Sequence, residues 1–161
     1  MFKRIIIDQL TNTYQTNTNK LSKVTDAYND NTSTLGDFKY DPATKGATDY
    51  SYDVNGNLIL DNNKKISGIT YNYLNLPSVI TVTGKGTITY TYDASGNKLQ
   101  KLTQENNATV PYNGTNYTSN ITTTTNYISG FVYESKAYSN ASLSSLQYSD
   151  VLQFTGRKKE G

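Results

Sequence analysis

Apolar and polar positions alternate along this chain with a period of two, in short runs separated by clusters of turn-forming residues. Ile88, Tyr90 and Tyr92 fall on one side of a pleated strand, and Thr87, Thr89 and Thr91 fall on the other. Ile69, Tyr71 and Tyr73 alternate in the same way, as do Leu58 and Leu60. Val79-Ile80-Thr81-Val82-Thr83 is a β-branched run broken from the next by Gly84-Lys85-Gly86, a hairpin signal. Near the start, Ile5 to Ile7 reads as a short buried strand, with Leu10 to Tyr14 following; near the end, Leu152-Gln153-Phe154 is the last expected strand. The pattern predicts an all-β chain of antiparallel hairpins forming a twisted, open sheet.

Two stretches carry this pattern through the same turn. Tyr50-Ser51-Tyr52-Asp53-Val54-Asn55-Gly56-Asn57 and Tyr90-Thr91-Tyr92-Asp93-Ala94-Ser95-Gly96-Asn97 share Tyr-x-Tyr-Asp-x-x-Gly-Asn in register. Each reads as a strand, a corner and the start of a second strand. A two-residue type I′ turn at Asn55-Gly56 suits the first copy but places Ser95 at positive φ in the second. A type I turn with a following bulge suits both: Asp53 or Asp93 opens it by accepting backbone N–H groups, and Gly56 or Gly96 supplies the left-handed residue. Asp53, Gly56, Asn57, Asp93, Gly96 and Asn97 are therefore structural turn residues, and pairing the Asp residues as acid and base or as calcium ligands has no second acidic residue at fixed spacing to support it.

Degenerate copies extend the repeat. Tyr14 to Leu21 aligns with Tyr92 to Leu99, with Gln15 for Asp and Thr18 for Gly, and Tyr71-x-Tyr73 keeps an aromatic pair without the Asp and Gly. Steps of 21, 19, 20 and 21 residues link Tyr52, Tyr73, Tyr92, Tyr112 and Tyr133, a period suited to two strands with their turns. The expected organisation is a hairpin array over 1–102 with a loop insertion at about 26–48, a polar Asn- and Thr-rich insert at 103–126 forming a long loop or irregular hairpin, a terminal repeat at 127–154 and a basic tail at 155–161. Tyr50, Tyr52, Tyr71, Tyr73, Tyr90, Tyr92 and Tyr133 are expected to form an aromatic ladder across strands or, if exposed, a face for glycans.

Composition narrows the chemistry. The 161 residues contain no cysteine and no histidine, which excludes disulfides, thiolate nucleophiles, Ser-His-Asp triads and zinc sites built from those ligands. No catalytic residue, metal site or cofactor is expected. A net charge of +2 is too small to argue for a nucleic-acid partner. The apolar run after Met1-Phe2-Lys3-Arg4 is only three residues, and no membrane-spanning run or export signal is expected in this chain.

With its two full motifs, its degenerate copies and Tyr127-x-x-Gly130-Phe131-x-Tyr133-Glu134 near the end, the sequence resembles the rearrangement-hotspot (RHS) or YD-repeat family, in the region just before the RHS-associated core domain. The resemblance implies a segment of a long β-sheet that spirals into a shell, enclosing a C-terminal toxin or presenting an adhesion face on secreted or cell-surface bacterial proteins. It implies as partners the remaining repeats and the core or toxin domain, and a non-enzymatic role for this chain. A handful of repeats is too few to close a shell, so unpaired edge strands and self-association are expected. A carbohydrate-binding β-module using exposed tyrosine rows is the alternative.

Overall fold

The computed structural model describes residues 6–30, 32–36 and 38–153. Ile5, Phe154 and the basic tail at 155–161 lie outside the described residues. The chain is all-β with antiparallel pairing, and it divides into two compact units, residues 1–69 and 70–161. The division falls inside a strand of the segment expected to be one continuous array. No helix among the described residues is long and apolar enough to cross a membrane.

In the first unit, β1 (Leu10–Tyr14) and β2 (Leu21–Asp26) form a two-stranded sheet, while β3 (Tyr50–Tyr52), β4 (Leu58–Asp61) and β5 (Ile66–Tyr71) form a meander. Ile6 and Ile7 lie outside any strand and are exposed, against the buried strand expected at Ile5 to Ile7. Three isoleucines followed by Asp8 leave no alternation to commit one face to a partner. Residues 27–48 contain a 3-10 turn at Pro42–Thr44, opened by the Asp41 carboxylate accepting from the Ala43 N–H. Proline at the first position of that turn gives up no hydrogen bond.

The second unit begins within β5 and continues through β6 (Pro77–Val82), β7 (Gly86–Tyr92), β8 (Lys98–Tyr112), β9 (Thr115–Ile128), β10 (Phe131–Tyr138) and β11 (Tyr148–Gln153). From β6 to β11 each strand pairs with the next in sequence. The polar stretch 103–126 is built into β8 and β9, whose hairpin closes at Asn113-Gly114 with φ of 47° and 75°, a two-residue type I′ turn. Its irregularity is one bulge, between Glu105 and Ala108, with Asn107 at φ 51° and its N–H on the Asn120 side chain. Threonine favours a pleated strand more strongly than its polarity favours a loop.

Register shows why this hairpin is long. β7 starts at Gly86 opposite Glu105, and β10 ends at Tyr138 opposite Ile121, so the hairpin beyond those levels projects as a two-stranded arm. Pro111 sits there, where the side of β8 that faces β7 elsewhere has no ladder to lose. The 3-10 helix Ala141–Leu146 folds against the arm, with the Asn140 side chain donating to Thr118 O and the hydroxyls of Tyr112 and Ser145 2.8 Å apart. Leu143 on this helix is fully buried. Among the described residues it and Val24 are the only buried hydrophobic side chains, so β6 to β11 form a sheet whose apolar side chains all remain partly exposed.

Candidate functional site

The two motif copies fold into one corner built twice. The Gly56 N–H donates to Asp53 O at 3.1 Å and the Gly96 N–H to Asp93 O at 3.1 Å, closing type I turns, and the glycines stand at φ 87° and 86°. The Asp53 carboxylate accepts from the N–H groups of Asn55 (2.9 Å) and Asn57 (2.8 Å) and from the Asn57 amide (3.0 Å); Asp93 accepts likewise from Ser95 (2.9 Å), Asn97 (2.8 Å) and the Asn97 amide (2.8 Å). Burial pushes the Asp53 carboxyl up, but the donors of Asn57, Asn55 and Gly56 outweigh it and hold the group below its ordinary value of 3.8. At Asp93 the Asn97 donors lead and likewise lower it. Both carboxylates are occupied by their own corners, as the turn reading of the sequence expects.

The degenerate copy needs a correction. Asn72 takes the place of Asp, with the N–H groups of Leu74 (2.9 Å) and Leu76 (3.0 Å) on its side-chain oxygen, and Asn75 takes the place of Gly at φ 56°. Tyr71, not Tyr73, therefore corresponds to Tyr52, and Tyr73 lies inside the corner, 77% exposed. The corner tyrosines Tyr52, Tyr71 and Tyr92 are 19 and 21 residues apart. Tyr112 precedes a turn at the opposite end of its strand from the Asp93 corner, and Tyr133 lies within β10 opposite Asn126, so the twenty-residue step does not carry the corner past Tyr92. Aromatic spacing followed composition there, while the corner follows its polar opener.

The other tyrosines of the expected ladder are half-buried. Tyr90 and Tyr92 have ring centroids 6.1 Å apart and planes tilted by 36°, with Lys98 Nζ 4.5 Å from the Tyr90 centroid and 5.8 Å from that of Tyr127. The Tyr92 hydroxyl donates to Pro77 O on the neighbouring strand, and the Tyr50 hydroxyl accepts from the Asn63 amide. Tyr133 pairs with Asn126 on one side and Leu152 on the other. These rings bridge strands and are not set out as a flat row. At the β10–β11 edge the Tyr148 hydroxyl donates to Glu134, which together with burial pushes its pKa up to about 12.

The most concentrated polar constellation lies in the first unit, at residues that period and motif do not single out. Lys45 Nζ donates to Asp49 Oδ2 (2.7 Å), Asn63 Oδ1 (2.6 Å) and Val24 O (2.5 Å), and lies 4.2 Å from the centroid of the Tyr40 ring and 5.9 Å from that of Phe38. The side chains of Lys45 and Asp49 are 9% and 0% exposed. Asp49 Oδ2 also accepts from the Val24 N–H at 2.9 Å, whereas its buried Oδ1 has no hydrogen-bond partner. Burial drives the Asp49 carboxyl up, and the bonds from Lys45, Val24 and Asn63 with the lysine charge bring it below the ordinary value. The only hint in the sequence is a lysine and an aspartate four apart in a segment without helical pattern, since the partners at Val24 and Asn63 come from remote strands and turns.

Among the described residues no group of three or more acidic side chains is placed to hold a metal ion. A depression of about 510 Å³ is lined by Ile6, Ile7, Tyr28, Asp30, Thr32 and Leu35. Compared with protein-family models, with curated proteins and with solved structures, the chain matches none.

Proposed function

We propose that the chain is a structural β-repeat segment of the RHS or YD-repeat kind, non-enzymatic, supplying strands to a larger β wall of a secreted or surface protein. The observation that carries this reading is the sheet from β6 to β11, in which no apolar side chain of a strand is buried. A chain of 161 residues folding for itself has enough surface to enclose a core. Here, hairpins are joined in chain order and apolar burial within the second unit is left to a connecting helix. Side chains so arranged gain their missing contacts from further repeats along an edge or from material against a face. The corner repeated at Asp53 and Asp93 supports the same reading, because it serves the geometry of a folding-back strand and leaves no free carboxylate for chemistry.

Glycan binding has less support: the rings are half-buried, tilted, and in the case of Tyr90 lie under Lys98. Analytical ultracentrifugation and calorimetry test the proposal. The isolated chain should associate in a concentration-dependent manner and melt broadly; a monodisperse monomer with a single sharp transition would overturn it.

A further inference from the structure

We propose that Lys45 and Asn63 become joined by an isopeptide bond that the folded first unit makes for itself, with Asp49 carrying the proton. The three groups of such a reaction are already assembled. The amine is 2.6 Å from the carboxamide oxygen of Asn63, whose carbon is one bond further, and 2.7 Å from the Asp49 carboxylate. Val24 fixes both ends of the pair, its carbonyl oxygen accepting from Nζ and its N–H donating to Asp49. Proximity of this kind converts an ordinarily very slow aminolysis of an amide into an intramolecular step.

The step needs one proton to pass from the ammonium to the carboxylate, 2.7 Å away. Burial of the pair favours that transfer, because it leaves a neutral amine beside a neutral acid, and the hydrogen bonds that hold the Asp49 carboxylate oppose it. The Tyr40 and Phe38 rings screen the amine from water that would compete as nucleophile. Asp49 Oδ1, buried without a donor, is an unfavourable place for a carboxylate oxygen and a suitable one for an acid hydrogen. Nζ then attacks Asn63 Cγ, Asp49 gives its proton to Nδ2 and takes the second proton from Nζ, the C–Nδ2 bond breaks, and the departing ammonia carries that proton away from Asp49 as ammonium. An ammonium group and a carboxamide are consumed, and a secondary amide and an ammonium ion are formed, with no oxidant or cofactor. The bond ties the 38–48 segment to the turn between β4 and β5.

Intact-mass spectrometry of the folded full chain is the test. The wild type should be lighter than its sequence by one ammonia, and tryptic digestion should leave the peptide from Tyr40 to Lys64 uncut at Lys45, with no single-cleavage fragments between residues 45 and 63. Lys45→Arg, which keeps the charge and the donors but not the nucleophile, should have its sequence mass; Asn63→Asp, if it links, should lose water in place of ammonia. Asp49→Ala should link far more slowly than the wild type. Folded wild type that keeps its sequence mass after days at neutral pH overturns the proposal, as does an ammonia loss that maps to a succinimide at Asn55-Gly56 or Asn113-Gly114 with Lys45 cleaved normally. Linkage in Asp49→Ala at the wild-type rate overturns the role given to Asp49.

Discussion

The corner at Asp93 and the loop at Gln15 begin from aligned sequences and end in different structures. In the first, five residues separate the paired Tyr92 and Lys98, and Gly96 holds the left-handed position; in the second, six residues separate the paired Tyr14 and Leu21, and Asn17 holds it at φ 58°. The Asp93 N–H reaches Asn97 O, four residues on, whereas the Gln15 N–H reaches Lys20 O, five residues on. Threonine, being β-branched, is a poor occupant of the left-handed region, so the chain lengthens by one residue and hands the positive φ to an asparagine. The Asn72 corner lies between them: its length is that of the Asp93 corner, with asparagine at both the opening and the left-handed position. Length is set by whether the fourth residue of the turn tolerates φ near 60–90°, and the opener sets how many backbone donors are satisfied.

Replacing the left-handed glycine by a β-branched residue should break the comparison most severely. Gly96→Val puts a Cβ 3.2 Å from Leu76 Cδ1 as well as forcing valine to positive φ, and should cost about 2 kcal/mol in a denaturant melt. At Gly56 the added Cβ meets only the flexible end of Lys20, at 3.6 Å, so Gly56→Val should cost the backbone strain alone, about 1 kcal/mol. Equal losses at the two sites would show that the Leu76 contact yields freely; no loss at either would remove the glycine from its role.

Removing the opener should cost less than Gly96→Val and should reveal itself through pH. Asp93→Ala strips the acceptor from the N–H groups of Ser95 and Asn97, and the variant should melt below the wild type at neutral pH. Because the folded Asp93 carboxyl lies below its ordinary value of 3.8, its stabilisation is complete above that value and is lost as pH falls through the lower folded one. The gap between wild type and variant should therefore close in acid. A gap that stays constant from neutral pH down to acid would assign the loss to something other than the ionised carboxylate.

These corners were legible from sequence because every interaction that makes them lies within five residues. Asp, Gly and Asn at fixed offsets specify donors, acceptor and positive φ without reference to the rest of the chain. Alternation gave the strands of 58–92 for the same reason. The 103–126 stretch was harder, because polar composition resembles a loop while threonine spacing fits a strand, and only pairing with β10 and across its own hairpin decides between them. The aromatic period points to Tyr73, whereas the corner follows Asn72, whose side-chain oxygen serves the backbone as an aspartate oxygen does. The Lys45 constellation has no local signature beyond a lysine and an aspartate four apart: its members are brought together from Val24, the 38–49 segment and Asn63 by folding.

The smallest expected effects sharpen the comparison by moving one corner toward the other. Gly96→Asn should be tolerated, at a cost below about 1 kcal/mol, since asparagine already holds the left-handed position at Asn75 and Asn17 and is the residue that best accepts it after glycine. In the opposite direction, Gln15→Asp with Thr18→Gly gives the first loop both the opener and the left-handed residue of the Asp93 corner. If local chemistry sets corner length, the amide of residue 19 should become protected from hydrogen exchange, as Asn97 is bonded in its corner, and stability should rise by a few tenths of a kcal/mol from the added acceptor. The β1–β2 pairing must then shift by one residue, moving Leu21 and Val24 to the other face. Val24 is buried and its N–H is held by Asp49, so that shift has a cost the corner alone does not reveal. Unchanged exchange at residue 19 with unchanged stability would mean that the register of β2 dictates the loop, and that the extra residue at Gln15 is a consequence of the strand and not of the missing glycine.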